Sequence, residues 1–571
     1  MVETNYIVPM IVAAVIAFLI IIYVIIALIR GKKKVEKKEI KEFQPKTPNP
    51  IKSEDIEKPL FQIEKQQGIP EIPDFKDSSE INIRYPLIPP YCFAHIYWDQ
   101  NETELVYKIE EPELNQEEKK ILKLLESGIR ELINLSFINV KNPDTILLYL
   151  EKNVRVLMTE LSIEVTKSSF LKLIYYIYRD FVGLNELEPL MNDYYIEDVE
   201  CNGIKSPVYI VHRKFRNIRT SLNYDNIPQL ASFVEKLAQK SGKHVSYAEP
   251  LLDSSLPDGS RVNATYTQDI TSKGPSFTIR KFTKEPWSPI QLMEKGTVSA
   301  EALAYIWMLI EHERSFMVIG GTGSGKTSFL NCIAFFLPPQ DRIVSIEDTR
   351  ELALEHENWL PSVARAGVGL SNLAGERYGE VSLFDLLKEA FRQRPDYIIV
   401  GEIRGKEAFV LMQGISSGHP SYGTMHAESA ETMVRRLQTP PISLSGSLIE
   451  GLSAVCVMKQ TMVKGKPARK LSSVDELLEV KENLAGVRTN NVIKWDPRTN
   501  KFHFNSKSKA IYDISIQFGK NTGELLTELK RRTILLDTLY KKKIAGFKEV
   551  QKIIHKYYKD PESVLRKFGI K

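Results

Sequence analysis

Cysteine is scarce in this sequence. The four among 571 residues, Cys92, Cys201, Cys332 and Cys456, stand too far apart to form a CxxC pair. That spacing excludes a zinc knuckle and argues against a disulfide scaffold, so reduced thiols in a cytoplasmic chain fit better. Excess charge is also missing. Lys+Arg 77 against Asp+Glu 72 leaves a net charge of +5, too thin over this length to grip nucleic acid. There is no aromatic-basic strip of the kind that stacks single strands, and no internal repeat. The remaining composition, 43% hydrophobic and 26% charged, is neither collagen-like, coiled-coil nor wholly disordered. At ~150 residues per domain the length allows about four units.

The first long feature is apolar. Ile7 to Ile29 holds no charged residue and exceeds the ~20 residues that a helix needs to cross the hydrocarbon core. Arg30, Lys32, Lys33, Lys34, Lys37, Lys38 and Lys41 follow, while only Glu3 precedes it. The positive-inside rule then predicts a single-pass cell-membrane anchor with the bulk of the chain in the cytoplasm. A cleaved signal peptide fits poorly, because the run is too long and no small-residue cleavage site precedes the lysines. From Gly31 to about Phe75 the chain is rich in Lys, Glu and Pro. This composition cannot bury a core and reads as a flexible tether. Its lysines either set topology alone or also meet anionic lipid.

The middle carries a phosphate-binding pattern. The apolar run Ser315–Ile319 reads as a buried strand, and Ser328–Phe336 as a helix with an apolar side. Between them stand Gly320, Gly321, Thr322, Gly323, Ser324, Gly325, Lys326 and Thr327, a GxxxxGK[ST] loop in its required strand–loop–helix setting. Glycines let backbone N–H groups curl around phosphate, and the helix N-terminus adds its dipole. Lys326 supplies charge to the β/γ-phosphates, and the Thr327 hydroxyl is a candidate Mg²⁺ ligand.

Two strand-end carboxylate groups accompany it. Tyr397–Val400 runs into Glu402, and Ile343–Ile346 into Glu347 and Asp348. Open α/β sheets place ligands past such carboxyl ends. One acid would support the Mg²⁺ shell and another orient water. Asp396 lies at the wrong end of its strand. Gly418–Ala427 is a short strand-like segment framed by His419 and His426, either structural or a reporter of the γ-phosphate.

Four segments in order, Gly320–Thr327, Ile343–Leu352, Arg392–Gly405 and Gly418–Ala427, resemble the type II/type IV secretion ATPase superfamily, and most closely its archaeal type IV pilus and archaellum branch. The resemblance covers roughly Tyr85 to the C-terminus. It implies ATP and Mg²⁺ as cofactors, Glu347 as general base with Asp348 beside it, and Glu402 as an unusual Walker B glutamate supporting Mg²⁺ and water. It makes His426 the histidine nearest the γ-phosphate, with His419 less certain. Asp258–Ala264 and Phe277–Lys281 also resemble the family's N-terminal arginine segments. Arg261 and Arg280 thereby become candidates to meet developing phosphoryl charge; without the family each reads as a surface ion pair.

The family further implies a homohexameric ring with nucleotide between two domains. Its partners would be a polytopic membrane platform protein and, indirectly, pilin-like subunits, with lipid met through the N-terminal helix and no direct nucleic-acid contact. Two departures stand out: the four-cysteine metal module frequent in bacterial relatives is missing, and the apolar N-terminal segment lies outside the matched region.

The expected fold is α/β: a RecA-like P-loop ATPase domain with an N-terminal α/β domain, plus an N-terminal transmembrane helix. The expected boundaries are an anchor at 1–30, a linker at 31–84, the N-terminal domain at 85–282, a Pro-bounded linker at 283–289, the ATPase domain at 290–505 and a helical region at 506–571. Within these, Asn115–Leu135 reads as helix, Val208–His212 as strand and Asp496–Asn500 as a hairpin turn. The expected function is an ATP-driven hexameric motor for assembly or secretion by an archaeal-type type IV filament system. A nucleic-acid-translocating ATPase and a nucleotide-gated scaffold with little hydrolysis are the alternatives.

Overall fold

The structure, a computed structural model, describes residues 59–64, 70–73, 75–132, 143–282, 285–365, 367, 378–463, 465–481 and 486–570. The expected membrane segment lies outside the described residues. Among those described, no helix is long and apolar enough to cross a membrane. The chain divides into two compact units, 1–62 with 127–164, and 63–126 with 165–571.

In the smaller unit the helix Pro143–Glu160 turns Leu147, Leu150, Val154 and Leu157 inward, the spacing of a one-sided helix. Its buried Glu151 accepts the backbone N–H of Phe61 at 3.0 Å, and Phe61 is itself fully buried. The expected tether of 31–84 is therefore held at Phe61. In the larger unit Tyr195 Oη donates to the Pro70 carbonyl, and Lys214 Nζ donates to Ile72 O at 2.6 Å. Proline-rich backbone has few N–H groups but free carbonyls, which suits it to accept from side chains. The first strand begins at Asn82, inside the expected linker.

The larger unit contains two nine-stranded sheets. The first consists of β1 (Asn82–Ile88), β2 (Cys92–Asp99), β3 (Glu104–Glu110), β4 (Ile196–Cys201), β5 (Pro207–His212), β6 (Arg216–Asn223), β7 (Leu251–Ser255), β8 (Arg261–Thr265) and β9 (Ser276–Arg280). Its order is β1-β2-β3-β6-β5-β4-β9-β8-β7, antiparallel except where β3 meets β6. Alternate residues such as Val208, Ile210 and His212 of β5 face inward, the period-two pattern of a one-sided sheet. The amphipathic helix Ile227–Lys240 covers that face with Leu230, Phe233, Val234 and Leu237.

The second sheet consists of β10 (Phe316–Gly320), β11 (Ile343–Glu347), β12 (Trp359–Val363), β13 (Tyr397–Val400), β14 (Ser421–Met425), β15 (Ala454–Val463), β16 (Lys466–Val480), β17 (Val487–Asp496) and β18 (Lys501–Phe504). Its order is β12-β11-β13-β14-β10-β15-β16-β17-β18. The first six are parallel and the last three continue antiparallel. Strands β10, β11, β13 and β14 are buried along their whole length, as parallel strands covered on both faces must be. Phe316 and Val318 join the hydrophobic cluster on one face, Met317 and Ile319 that on the other.

The helix Ala300–Glu311 buries every residue from Ala302 to Ile310. The helix Thr522–Lys541 shares its cluster through Leu525, Leu529, Leu535, Leu536 and Leu539. Arg532 is a buried charge at this contact. It is 3% exposed and ion-paired with Glu311 and Glu528, and its guanidinium lies 4.7 Å from the Trp307 ring centre. The expected linker 283–289 is fixed at its far end: Ser288 caps the helix Pro289–Glu294 with a capping box and donates its hydroxyl to Ala545 O at 2.7 Å.

Candidate active site

The parallel strands β10, β11, β13 and β14 all end on one edge of the second sheet. Gly320 closes β10, Glu347 closes β11, Glu402 follows β13 and His426 follows β14. Parallel direction alone brings these four chain segments together. They open on a cavity of ≈ 330 Å³ whose opposite wall is the β8–β9 side of the first sheet.

The glycine loop folds as its sequence demands. A Cβ at Gly320 would lie 2.3 Å from the Met458 carbonyl oxygen, so the chain cannot pass there with a side chain. Gly325 has φ +90° and caps the helix Lys326–Ile333, a conformation that L side chains rarely adopt. Lys326 Nζ donates to Gly321 O at 3.0 Å. Thr327, in the first helical turn, lines the cavity.

Lys326 Nζ lies 3.3 Å from His426 Nδ1. An ammonium has no acceptor, so Nδ1 supplies the lone pair and the ring proton sits on Nε2. That nitrogen faces Glu402 Oε1 at 3.2 Å. Burial and the neighbouring Lys326 charge hold the His426 pKa below its usual value, which favours the neutral ring this geometry requires. Burial likewise lowers Lys326. For Glu402, burial pushes the pKa up, but the Arg404 hydrogen bond and charge, with His426 and Lys326, outweigh it and the net shift is down. Arg404 Nη2 donates to Glu402 Oε2 at 2.6 Å, and its Nη1 lies 4.0 Å from Asp348.

Glu347 sits differently. It is 1% exposed. Its Oε1 accepts the backbone N–H groups of Glu351 (2.9 Å) and Leu352 (2.8 Å), while Oε2 is buried without a partner among the described residues. Burial pushes its pKa up to about 7, against the pull of those two amides. Two carboxylates on neighbouring strands thus have opposite shifts, the pattern that separates acid–base roles. Thr327, Glu347 and Glu402 present hard oxygen donors, the chemistry that suits Mg²⁺.

Arg261 and Arg280 both reach the cavity. They are directly opposite across β8–β9. Arg261 is bidentate to Asp253, at 3.1 and 3.0 Å; Arg280 lies 3.5 Å from Glu351. Like charges directly opposite on a sheet repel, a cost that an anion between them would relieve. His419 stands apart: it precedes β14, against the Phe391 ring, on the opposite edge of the sheet from His426. Asp396 accepts the Arg342 amide and does not line the cavity.

Three contributors escape sequence reasoning. Arg404 lies two positions past Glu402, and an arginine beside a strand-end acid was a readable signal. Arg469 donates to Gly323 O at 2.9 Å from 146 residues away, for which no local signal exists. Asn331 is hidden among apolar helix positions.

Known proteins resemble this chain to different extents. An uncharacterized protein of Methanocaldococcus jannaschii, MJ0900, is 33% identical over 522 residues, 85% of this chain and 92% of its own length. The type IV secretion system protein PtlH of Bordetella pertussis is 28% identical over 44% of this chain and 80% of its own. The X-ray structure of the Legionella pneumophila ATPase DotB covers 66% of this chain and 95% of its own at 17% identity and a TM-score of 0.36, a likeness too low to bear on the chemistry. The type II/IV secretion system protein family itself matches residues 204–506, which take in the cavity's arginine strands, its glycine loop and both strand-end glutamates, and the chain belongs to that family.

Proposed function

We propose that this chain is an Mg²⁺-dependent ATPase of RecA-like fold, the motor of an archaeal-type type IV filament system that assembles or secretes. The observation that carries the reading is the convergence of Lys326, Glu347, Glu402 and His426, from four parallel strand ends, on one cavity faced by Arg261 and Arg280. In this reading the loop Gly320–Thr327 cradles the triphosphate with backbone N–H groups. Thr327 and Glu402 hold Mg²⁺, which when bound neutralises phosphate charge. Glu347 takes the proton from the attacking water through Oε2, the oxygen that the two backbone amides leave unused. His426 orients Lys326 against Glu402. Arg261 and Arg280 leave their carboxylate partners to meet charge on the γ-phosphate oxygens.

The remaining assignments are part of the same proposal: a homohexamer, a segment Ile7–Ile29 that anchors it with its bulk in the cytoplasm, and a polytopic platform protein that passes motion to pilin-like subunits. The M. jannaschii relative supports the archaeal setting, and PtlH, a type IV secretion system protein, supports a secretion role. An interdomain cavity walled by charges from both sheets supports nucleotide-controlled motion between them.

The test is ATP hydrolysis by the full chain in detergent, with and without Mg²⁺, beside its oligomeric mass. Lys326→Ala, Glu347→Gln and Arg261→Ala are assayed in parallel. A hexameric parent with metal-dependent turnover, lost in all three variants, is expected. A parent that binds ATP and never turns it over would sink the motor reading.

A further inference from the structure

Asn331 lies one turn beyond Thr327 on the helix Lys326–Ile333 and is 4% exposed. Its neighbours Phe329, Leu330, Cys332 and Ile333 are all buried and apolar or nearly so. An amide in such a place weakens the helix and loses hydration, so its hydrogen bonds must offset both. They do so at each end of the side chain. Nδ2 donates to Glu351 O at 3.0 Å, and Oδ1 accepts from Ala353 N at 2.9 Å. Asn331 pairs with this turn as an adjacent strand would.

The same turn carries the amides of Glu351 and Leu352 that grip Glu347 Oε1. We propose that Asn331 is a positioning residue for Glu347. It fastens the turn Glu351–Ala353 to the P-loop helix, so that the carboxylate is held in register with the loop that binds phosphate. This assignment rests on the hydrolase reading above. With Oε1 pinned by two amides, the carboxylate cannot rotate, and Oε2 alone faces its task. A misplacement of about 1 Å at such a group costs on the order of a hundredfold in rate. The Glu351 side chain adds a second input, since Arg280 of the first sheet rests on it. Displacement of that sheet therefore reaches Glu347 through a turn that Asn331 holds at both Glu351 and Ala353.

The experiment uses full-length Asn331→Ala and Asn331→Asp. The aspartate keeps the size and the bond from Ala353 but sets an acceptor against the Glu351 carbonyl. Both should lower kcat by ten- to a hundredfold, with KM for ATP and the Kd of a fluorescent ADP analogue within about threefold of the parent. Hydrogen exchange at the Glu351 and Leu352 amides should accelerate. Faster exchange with unchanged kcat overturns the proposal. So does a raised KM at constant kcat, which would make Asn331 a support for nucleotide binding only. If both variants fail to fold, the residue is structural and the assignment falls. A parent without turnover sinks the hydrolase reading instead, and the exchange rates then decide whether Asn331 holds the turn at all.

Discussion

His426 bridges Lys326 and Glu402, with Nδ1 3.3 Å from the ammonium and Nε2 3.2 Å from a carboxylate oxygen. The imidazole thus stands between Lys326 and the acid on the β13 side, and its bond to the ammonium requires the neutral Nε2-protonated form. His426→Ala should leave nucleotide affinity within about threefold and lower kcat at least tenfold. Lys326→Ala should instead raise the nucleotide Kd by more than tenfold. Equilibrium binding beside steady-state kinetics separates the two, and equal losses in Kd would refute the assigned difference.

Glu347 gives a pH dependence. Its folded pKa is about 7 against an ordinary 4.5, raised by burial. A base must be ionised, so turnover should rise through about pH 7 and level off above it. Stability moves the other way. Between about pH 4.5 and 7 the folded chain holds a proton that the unfolded chain has lost, so stability from this group is present below that window and falls as pH rises through it. Glu347→Gln should abolish turnover, melt later than the parent at pH 8 and match it at pH 4. Thermal melts at both pH values check the sign.

Arg261 separates structure from chemistry. Its pair with Asp253 is substantially exposed, and such pairs contribute about 0–1 kcal/mol. Arg261→Ala should barely move the Tm yet lower kcat by two or more powers of ten. A loss of stability without a loss of rate would return Arg261 to a surface ion pair.

Arg532 should behave in the opposite way. It is buried, paired with two glutamates and stacked on Trp307. Arg532→Ala strands those carboxylates and should cost about 3 kcal/mol, read as an earlier thermal transition. Residual folded protein should keep its KM.

The apolar segment predicts a fractionation result. Deleting residues 1–30 should move the chain from the membrane pellet to the supernatant. A deletion variant still in the pellet would point to another attachment.

Where chemistry is local, the sequence is legible. The glycine loop, its strand and its helix stand where the spacing places them, because glycine spacing, the apolar run before it and the helix after it are all signals within a few residues. Glu347 and Glu402 were readable as strand ends, since a short apolar run followed by an acid is a one-dimensional signal. The pairing of Arg261 with Arg280 was not. It depends on the register of β8 against β9 and on how the first sheet faces the second. Arg469 likewise reaches Gly323 only through the antiparallel extension of the second sheet. The fastening of Phe61 on Glu151 was hidden by a composition that looks disordered.

The pairing of the helix Ala300–Glu311 with Thr522–Lys541 has a practical consequence for dissecting the protein. A fragment trimmed to the four motif segments, ending near residue 505, would strip Trp307 of Arg532 and Tyr557 and take Leu525, Leu529, Leu535, Leu536 and Leu539 out of the shared cluster. Such a fragment should be recovered as aggregate, and its inactivity would say nothing about the motifs. The last sixty-odd residues, although far from the chemistry, belong in any expression boundary.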